Sequence, residues 1–431
     1  MAMAPPPAAH DRAATPTQGR FLPALIITVS LFFLWGMANN LNDILIAQFR
    51  KAFVLSDFGT SFVQQVFYLG YFLFAIPASL LMGAKGYKAS IVLGLLLYGA
   101  GALLFYPAAM MSEYLLFLFA LFVIASGLAF LETAANPLMT ELGDANGAAR
   151  RLNWAQAANP LGALAGIWIG RTFILSGIEH DEAALAAMSA ADQLAYYQME
   201  VRAVAPPYVI IGLVVLAFAL AAAVVRFPAG ERAATQDGAG LRGLSAAFRR
   251  PRLVAAAAAQ LMYVGAQVGI WSFTIRYAQA SVPGMTERAG ADALFVSLLL
   301  FATGRFIGSS LMSQARSAVL LASFAGAACI LTLVAALSPG QTGLYALVAA
   351  SFFLSIQFPT IFALGVEGLG PLRRAGASLI IMAIIGGALL TALMGWVSDR
   401  ADIATAMLVP AAAFVCIVAF ALYARRPAGD V

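Results

Sequence analysis

Residues 114–140, YLLFLFALFVIASGLAFLETAANPLMT, form an apolar run that is long enough to cross a membrane and that carries one carboxylate, Glu132. A membrane-spanning helix needs about 20 residues. Comparable runs recur along the chain, of which 62% is hydrophobic and only 10% is charged. Apolar and polar residues do not alternate as they do in the strands of a membrane barrel. The sequence therefore predicts an all-α membrane protein.

Twelve apolar runs are candidates for spanning helices. They cover approximately 24–49, 59–82, 88–109, 114–139, 152–176, 206–227, 253–279, 291–312, 317–338, 341–366, 375–398 and 403–424. A long polar stretch rich in Gly, Ala and Arg follows the sixth run and divides the twelve into two sets of six. The predicted organisation is a cytoplasmic tail (1–22), an N-terminal six-helix bundle (23–227), a cytoplasmic linker (228–252), a C-terminal six-helix bundle (253–426) and a second cytoplasmic tail (427–431).

The distribution of basic residues predicts the orientation. Most of the 25 Lys and Arg residues fall in the loops on one side of the twelve-helix arrangement. Cytoplasmic loops carry an excess of these residues, so we expect a multi-pass protein of the cell membrane with both termini in the cytoplasm. The formal charge of +5 is spread over short loops rather than gathered in one patch, which favours no nucleic-acid partner.

The two halves of the chain repeat each other weakly and in the same direction. NPLMTELG at 136–143 matches FPTIFALG at 358–365, and a pair of arginines follows each segment. Two such six-helix bundles with a substrate site between them are typical of transporters that work by alternating access. Enzymatic signatures such as GxSxG, HExxH and the phosphate-binding GxxxxGK are missing from the sequence, which predicts a protein that is not an enzyme and is driven by a gradient.

Two carboxylates within spanning runs are the candidates for proton coupling, Asp43 and Glu132. An acid at the centre of a membrane helix costs about 2.5–3.5 kcal/mol, so it usually faces a polar cavity or a partner. Desolvation disfavours the charged form, which would let either group take up and release a proton near neutral pH. The open alternative for Glu132 is a permanently protonated group that only donates a hydrogen bond.

Amides beside these acids are candidates for substrate binding. Asn39 and Asn40 precede Asp43 by about one turn, and Asn136 follows Glu132 by one turn. Amides between neighbouring helices that serve only packing are the alternative interpretation.

The fifth run carries a second amide stripe, formed by Asn153, Gln156 and Asn159. Amide groups both donate and accept, which suits desolvated sugar hydroxyls. The GxxxGxxxG pattern at 162–170 of the same run predicts close helix packing.

The second half offers no intramembrane acid at the corresponding positions. It supplies Gln267, Trp271, Gln357 and Phe358, a mixture of amides and aromatic rings that is typical of a sugar subsite. Coupling chemistry is therefore expected in the first half alone.

Seven segments resemble the fucose permease family of the major facilitator superfamily. They are FFLWGMANNLNDIL, LETAANP, RLNWAQAANPLGAL, YVGAQVGIWSFTIRYA, GRFIG, SIQFPTIFALG and IIGGALLTALMGWVSD, in this order over nearly the whole chain. The resemblance implies twelve helices that move a monosaccharide inward with a proton. It also implies that the acids of the family fall on Asp43 and Glu132, and its fifth-helix polar pair on Gln156 and Asn159.

Two departures from that family pattern concern the sugar. Phe358 replaces a hydroxylated aromatic residue, and Pro160 stands where the family commonly has serine. Both changes remove a hydroxyl group, so a related hexose competes with L-fucose as the substrate.

The sequence leaves several functions open. A glucose/galactose symporter, possibly sodium-coupled, a drug/proton antiporter and a sugar sensor are the alternatives. The leading interpretation is a monomeric symporter in membrane lipid that binds a monosaccharide and a proton and needs no cofactor.

Overall fold

The structure, a computed structural model, describes residues 22–54, 57–141, 147–174, 185, 187–227 and 241–425. Residues 1–21 of the predicted tail and residues 228–240 of the predicted linker lie outside these residues. Within the described ranges every regular element is a helix. The predicted all-α class is confirmed.

The first half of the chain forms a bundle of long helices. They are α1 (Leu22–Ala52), α2 (Asp57–Lys85), α3 (Tyr87–Met111), α4 (Tyr114–Glu141), α5 (Ala148–Gln156), α6 (Ala158–Ile169) with a π-helical end (Gly170–Ile174), α7 (Ala190–Ala203) and α8 (Ala205–Val224). Prolines lie inside three of the helices, at Pro77, Pro107 and Pro137. Membrane helices tolerate proline because neighbouring helices satisfy the freed backbone groups.

The second half forms the matching bundle. Its helices are α9 (Leu241–Phe248), α10 (Pro251–Ser281), α11 (Glu287–Leu311), α12 (Ser317–Leu337), α13 (Gln341–Leu354), α14 (Gln357–Val366), α15 (Arg373–Met382), α16 (Gly386–Arg400), α17 (Ile403–Ala406) and α18 (Leu408–Tyr423). Short 3₁₀ turns at Gly370–Leu372 and Ala383–Ile385 precede α15 and α16. The chain therefore crosses six times in each half.

Eleven stretches of the described chain are long and apolar enough to cross a membrane. The fifth crossing is not among them, because its first helix, α5, is short and rich in polar residues. With it, the twelve predicted crossings are complete.

Glycines hold the fifth crossing against α1. A Cβ atom on Gly162 would collide with the backbone carbonyl of Phe33, and one on Gly166 would lie 2.7 Å from the carbonyl oxygen of Met37. From the other side, a Cβ atom on Gly36 would collide with the backbone of Asn159. The close packing predicted from the GxxxGxxxG pattern is confirmed, and it fixes the amides of the fifth crossing against the first helix.

The two bundles are joined at one end. We call it the termini side, because α1 begins there and α18 ends there. Arg373 lies 3.5 Å from the carboxylate of Glu141, which also accepts a 2.6 Å hydrogen bond from Tyr87. The guanidinium group of Arg374 lies over the Tyr87 ring, and its backbone carbonyl accepts a hydrogen bond from Ser79. These contacts tie α2, α3 and α4 to α15 and close the termini side.

Asn153 belongs to this closure. Its amide donates to the Thr360 hydroxyl at 3.2 Å across the bundles and lies 3.5 Å from the sulfur of Met312. The amide stripe predicted on the fifth crossing is therefore divided, because the turn at Ala157 separates Asn153 from Asn159.

Candidate functional site

A cavity of about 370 Å³ lies between the two bundles, beyond the closed termini side. On α1, α2, α10 and α11 its wall residues lie in the middle of the helix and in the part away from the termini side. Its lining residues include Trp35, Asn39, Asn40, Tyr68, Tyr71, Gln156, Asn159, Tyr263, Gln267, Trp271, Phe301, Arg305 and Phe358. Both halves of the chain contribute to it.

Six amide side chains of the first bundle lie on the cavity wall: the four predicted candidates and the pair Asn42 and Gln64, which are hydrogen-bonded to each other. Asn40 donates to the carbonyl of Gly36 at 3.0 Å, and Asn159 donates to the carbonyl of Phe32 at 3.3 Å. These backbone contacts hold the two amides in place. Asn39 lies beside them, half-buried. The predicted candidates Asn39, Asn40, Gln156 and Asn159 are thus brought together on one wall.

A hydrogen-bonded chain crosses from the second bundle into the first. Arg305 donates to the side-chain oxygen of Gln156 at 3.2 Å, and Gln156 donates to that of Asn136 at 2.8 Å. Arg305 is 3% exposed, and its guanidinium group lies 5.0 Å from the centre of the Phe301 ring. The cavity wall therefore carries a buried positive charge.

Arg305 was not among the residues selected from the sequence. Its position inside a spanning run could have identified it, because a charge within the membrane is costly and usually functional.

Glu132 lies behind the cavity rather than on its wall. It is 2% exposed, and neither carboxyl oxygen has a hydrogen-bond partner among the described residues. The amide nitrogen of Asn136, one turn further along α4, is also unpaired in the described part of the chain. Tyr71 of α2 lines the cavity and interacts electrostatically with Glu132.

Two of the predicted substrate ligands do not reach the cavity. Asn136 is fully buried behind Gln156, and Gln357 is fully buried and donates to the carbonyl of Phe353 at 2.9 Å. Neither residue lines the cavity in this conformation, and their predicted role in substrate binding stays a prediction. Asn136 stands near the termini end of α4, whereas Gln357 lies next to the wall residue Phe358 and is turned toward its own helix backbone.

Trp271 and Gln267 form part of the second-bundle wall. The indole N–H of Trp271 donates to the hydroxyl of Ser351 at 3.1 Å, and its ring meets Phe301 edge-on at 5.0 Å. The ring orientation is therefore fixed by two contacts within the bundle.

Phe358 completes the aromatic surface where the bundles meet. Its ring centre lies 5.6 Å from that of Trp35 in the first bundle and 6.3 Å from that of Tyr263 in the second. The Tyr263 hydroxyl is engaged with the carbonyl of Leu354 at 3.0 Å. The surface places aromatic rings on the cavity wall, together with the amides and Arg305.

Asp43 lies on α1, one turn from Asn39. Its side chain lies outside the described residues, so its predicted role stays a prediction.

This arrangement is that of a membrane transporter, with two six-helix bundles closed at one end around a polar and aromatic cavity. Residues 24–386 match the family model of the Major Facilitator Superfamily, and the chain belongs to that superfamily. Within it, the chain belongs to the family of the L-fucose-proton symporters and glucose/galactose transporters. It is 43% identical to the L-fucose-proton symporter of Escherichia coli, over 97% of each chain.

Other comparisons agree with this assignment. The chain is 34% identical to the glucose/galactose transporter of Brucella abortus, over 95% of each chain. The fold matches a crystal structure of FucP, a transporter of the superfamily in the outward conformation, with a TM-score of 0.87 and 43% identity. That match covers 94% of this chain and 100% of the other. The predicted family and the twelve-helix fold in two bundles are confirmed, and the protein is a transporter rather than an enzyme.

Proposed function

We propose that this protein imports a monosaccharide, L-fucose or a related hexose, together with a proton by alternating access. One observation carries the proposal: the cavity between the bundles combines sugar-binding groups with a buried carboxyl group directly behind its wall. The relatives named L-fucose-proton symporters and glucose/galactose transporters support the same substrate class.

The first-bundle amides bind the sugar hydroxyls. Asn39, Asn40, Gln156 and Asn159 present groups that donate and accept, which matches hydroxyls once they have lost their water. Arg305 fixes Gln156 and adds a charged donor at the same depth. Desolvated hydroxyls left without partners would cost about 1–3 kcal/mol each, so this wall selects a small polyol over an apolar drug.

The second bundle supplies the surface on which the sugar rests. Trp271 and Phe358 present ring faces, and Gln267 lies beside them. A sugar ring has an apolar face formed by its C–H groups, and such a face gains by contact with an aromatic ring. Sugar held against both bundles favours their closure around it.

The coupling ion is a proton, carried by Glu132 and Asp43. Glu132 is deeply buried without a cationic partner bonded to it among the described residues, so its charged form is disfavoured until the site opens to water. Proton uptake from one side and release to the other follow from the change in hydration between the two conformations. A cofactor has no part in this cycle.

The orientation follows from the basic loops. With both termini in the cytoplasm, the closed termini side faces the cytoplasm and the cavity faces outward. The protein then lies in the cell membrane as a monomer surrounded by lipid. In this proposal the cytoplasmic tails, the two bundles and the linker keep the boundaries predicted from the sequence.

A transport assay tests the proposal. The purified protein is reconstituted in liposomes, and labelled L-fucose, galactose, glucose and arabinose are offered under an imposed pH gradient or an imposed sodium gradient. We expect concentrative uptake of one or more of these sugars that requires the pH gradient. Uptake driven by sodium alone would support the glucose/galactose alternative, and absence of sugar uptake with drug efflux would contradict the proposal.

A further inference from the structure

The buried carboxyl group of Glu132 has no direct route to the cavity. It is absent from the cavity wall, and its own helix is covered there by other side chains. If sugar and proton are coupled as proposed above, some group must sense both the cavity contents and the state of the carboxyl group. The candidates are side chains that lie on the wall and also reach Glu132.

Tyr71 meets both conditions. It lines the cavity, is 1% exposed, and its hydroxyl has no hydrogen-bond partner among the described residues. The same hydroxyl interacts electrostatically with Glu132, whose two carboxyl oxygens are equally unpaired in the described chain. The indole N–H of Trp35, on the same wall, approaches this hydroxyl without completing a hydrogen bond. Three polar groups therefore meet here with their bonding capacity unused.

A buried polar group without a partner costs about 1–3 kcal/mol, so three together indicate a place where a ligand completes the bonding. The neighbouring tyrosines Tyr98 and Tyr68 do not supply hydrogen bonds to these three unpaired groups. Tyr98 donates to the carbonyl of Leu34 at 3.3 Å, and Tyr68 lies one turn away on α2.

We propose that the Tyr71 hydroxyl is the positioning group that links sugar in the cavity to protonation of Glu132, with the Trp35 indole as its second donor to the sugar. This inference rests on the proposed function. Tyr71 contacts sugar on one side and the carboxyl group on the other, and it does not itself change charge.

The coupling follows from the single hydrogen of the phenol. When Glu132 is charged, the carboxylate accepts a hydrogen bond from the phenol. The phenol then has no hydrogen left to donate to the sugar. When a proton from the medium binds the carboxylate, the acid donates to the phenolic oxygen, and the phenol donates its own hydrogen to a sugar oxygen. No other bond changes. Sugar therefore binds the protonated carrier more tightly, and by reciprocity bound sugar favours protonation.

The groups around Tyr71 limit which one titrates. Its titratable neighbours are Glu132 from α4, Tyr98 from α3 and Tyr68 from its own helix. A carboxyl group loses its proton at a lower pH than a phenol, so Glu132 is the member of this set that we expect to titrate first. Asp43 on α1 is the further acid that the experiment must separate.

The test measures sugar affinity by calorimetry from pH 5.5 to 8.5, with L-fucose and the hexoses of the transport assay as probes. In the wild type we expect affinity to fall at least about fivefold as the pH rises, which is the lower end of typical coupling. In Tyr71→Phe, which keeps the ring and removes the hydroxyl, the change should be less than about twofold across the same range. The matched control Tyr68→Phe removes a hydroxyl from the same wall and should keep the wild-type pH dependence, whatever its affinity.

A second measurement covers the case in which Tyr71→Phe does not fold. Infrared difference spectra on adding sugar should show a shift of the protonated carboxyl band that Glu132→Gln removes, and this shift should weaken in Trp35→Phe. The inference would be overturned if the sugar affinity of Tyr71→Phe varied with pH as it does in the wild type. A pH-independent affinity in Asp43→Asn beside a wild-type pH dependence in Tyr71→Phe would assign the coupling to Asp43. Sugar binding that does not vary with pH in the wild type would overturn the proposed proton coupling itself.

Discussion

The two bundles contribute different charged groups to one cavity. The first bundle supplies six lining amides and has the acid Glu132 behind its wall, whereas the second supplies one lining amide and the buried cation Arg305; aromatic rings come from both. A proton site needs a group whose charge changes, and a sugar platform needs surfaces that do not. In the proposed function, the first bundle therefore carries the acid that binds the proton, and the second carries a fixed positive charge beside the sugar.

Weak internal symmetry makes this division informative. Both halves derive their helices from the same pattern, and NPLMT and FPTIF occupy matching positions near the termini side. Leu354 occupies the position of the second half that corresponds to Glu132, so the second half has no titratable group there. Mutations that exchange or remove these groups test the division directly.

The largest effect is expected from Glu132→Gln, which removes the titratable group and keeps a similar volume. Uptake driven by a pH gradient should fall to the level of protein-free liposomes, because the carrier no longer releases a proton. Exchange of sugar between equal concentrations should persist, since exchange need not discharge the proton. Both rates are measured on one preparation. Full pH-driven uptake in Glu132→Gln would assign proton binding to another group.

Arg305→Ala should weaken sugar binding by about 3 kcal/mol, the upper range for a hydrogen bond made by a charged group. The loss arises because the alanine leaves the Gln156 oxygen unpaired and removes a donor from the wall. Arg305→Lys is the control, because it keeps the charge and should recover part of the affinity in calorimetry. Equal affinity in wild type and Arg305→Ala would limit this residue to packing on Phe301.

The sequence predicted much of this architecture because the helical pattern decides it. The twelve crossings follow from run length, and the contact between α1 and the fifth crossing follows from small residues spaced by four. The wall positions of Asn39, Asn40, Gln156, Asn159, Gln267, Trp271 and Phe358 agree with the candidates selected from their side-chain chemistry.

The side chains that line the cavity could not all be predicted, because their positions depend on how the helices pack. The sequence gives neither the depth of a residue nor the rotation of its helix, so Asn136 and Gln357 could not be distinguished from the residues that line the cavity. An aromatic residue in an apolar run usually packs or faces lipid, which concealed Trp35 and Tyr71. Arg305 carried a usable signal, its charge within a span, but its partner Gln156 belongs to the other half of the chain.

Gln156→Ala and Asn159→Ala should each weaken sugar binding by about 1–2 kcal/mol, because each leaves a desolvated sugar hydroxyl unpaired. Calorimetry at one acidic pH measures both variants. Trp154→Phe is the matched control, since this residue of α5 does not line the cavity and keeps an aromatic ring against Phe306 of the second bundle. Unchanged affinity in both alanine variants would assign these amides to helix packing and remove the first bundle from sugar binding.

The smallest effect is expected from Phe358→Tyr, which adds a hydroxyl to the second-bundle platform. Phe358 is 4% exposed and lies between Trp35 and Tyr263, so the ring stays in place and only its edge gains a polar group. One new hydrogen bond to sugar is worth about 0.5–1.5 kcal/mol, a gain of roughly two- to tenfold in affinity. The gain should be confined to sugars with a hydroxyl within reach of that edge, so a comparison of L-fucose with galactose and glucose reports which part of the sugar faces Phe358. Tyr263→Phe is the control, because its hydroxyl is already bonded to the carbonyl of Leu354 and its loss should not change the order of preference among these sugars. An equal change in affinity for every sugar would show that Phe358 supports the cavity wall without contacting the substrate, and the platform would then rest on Trp271 alone.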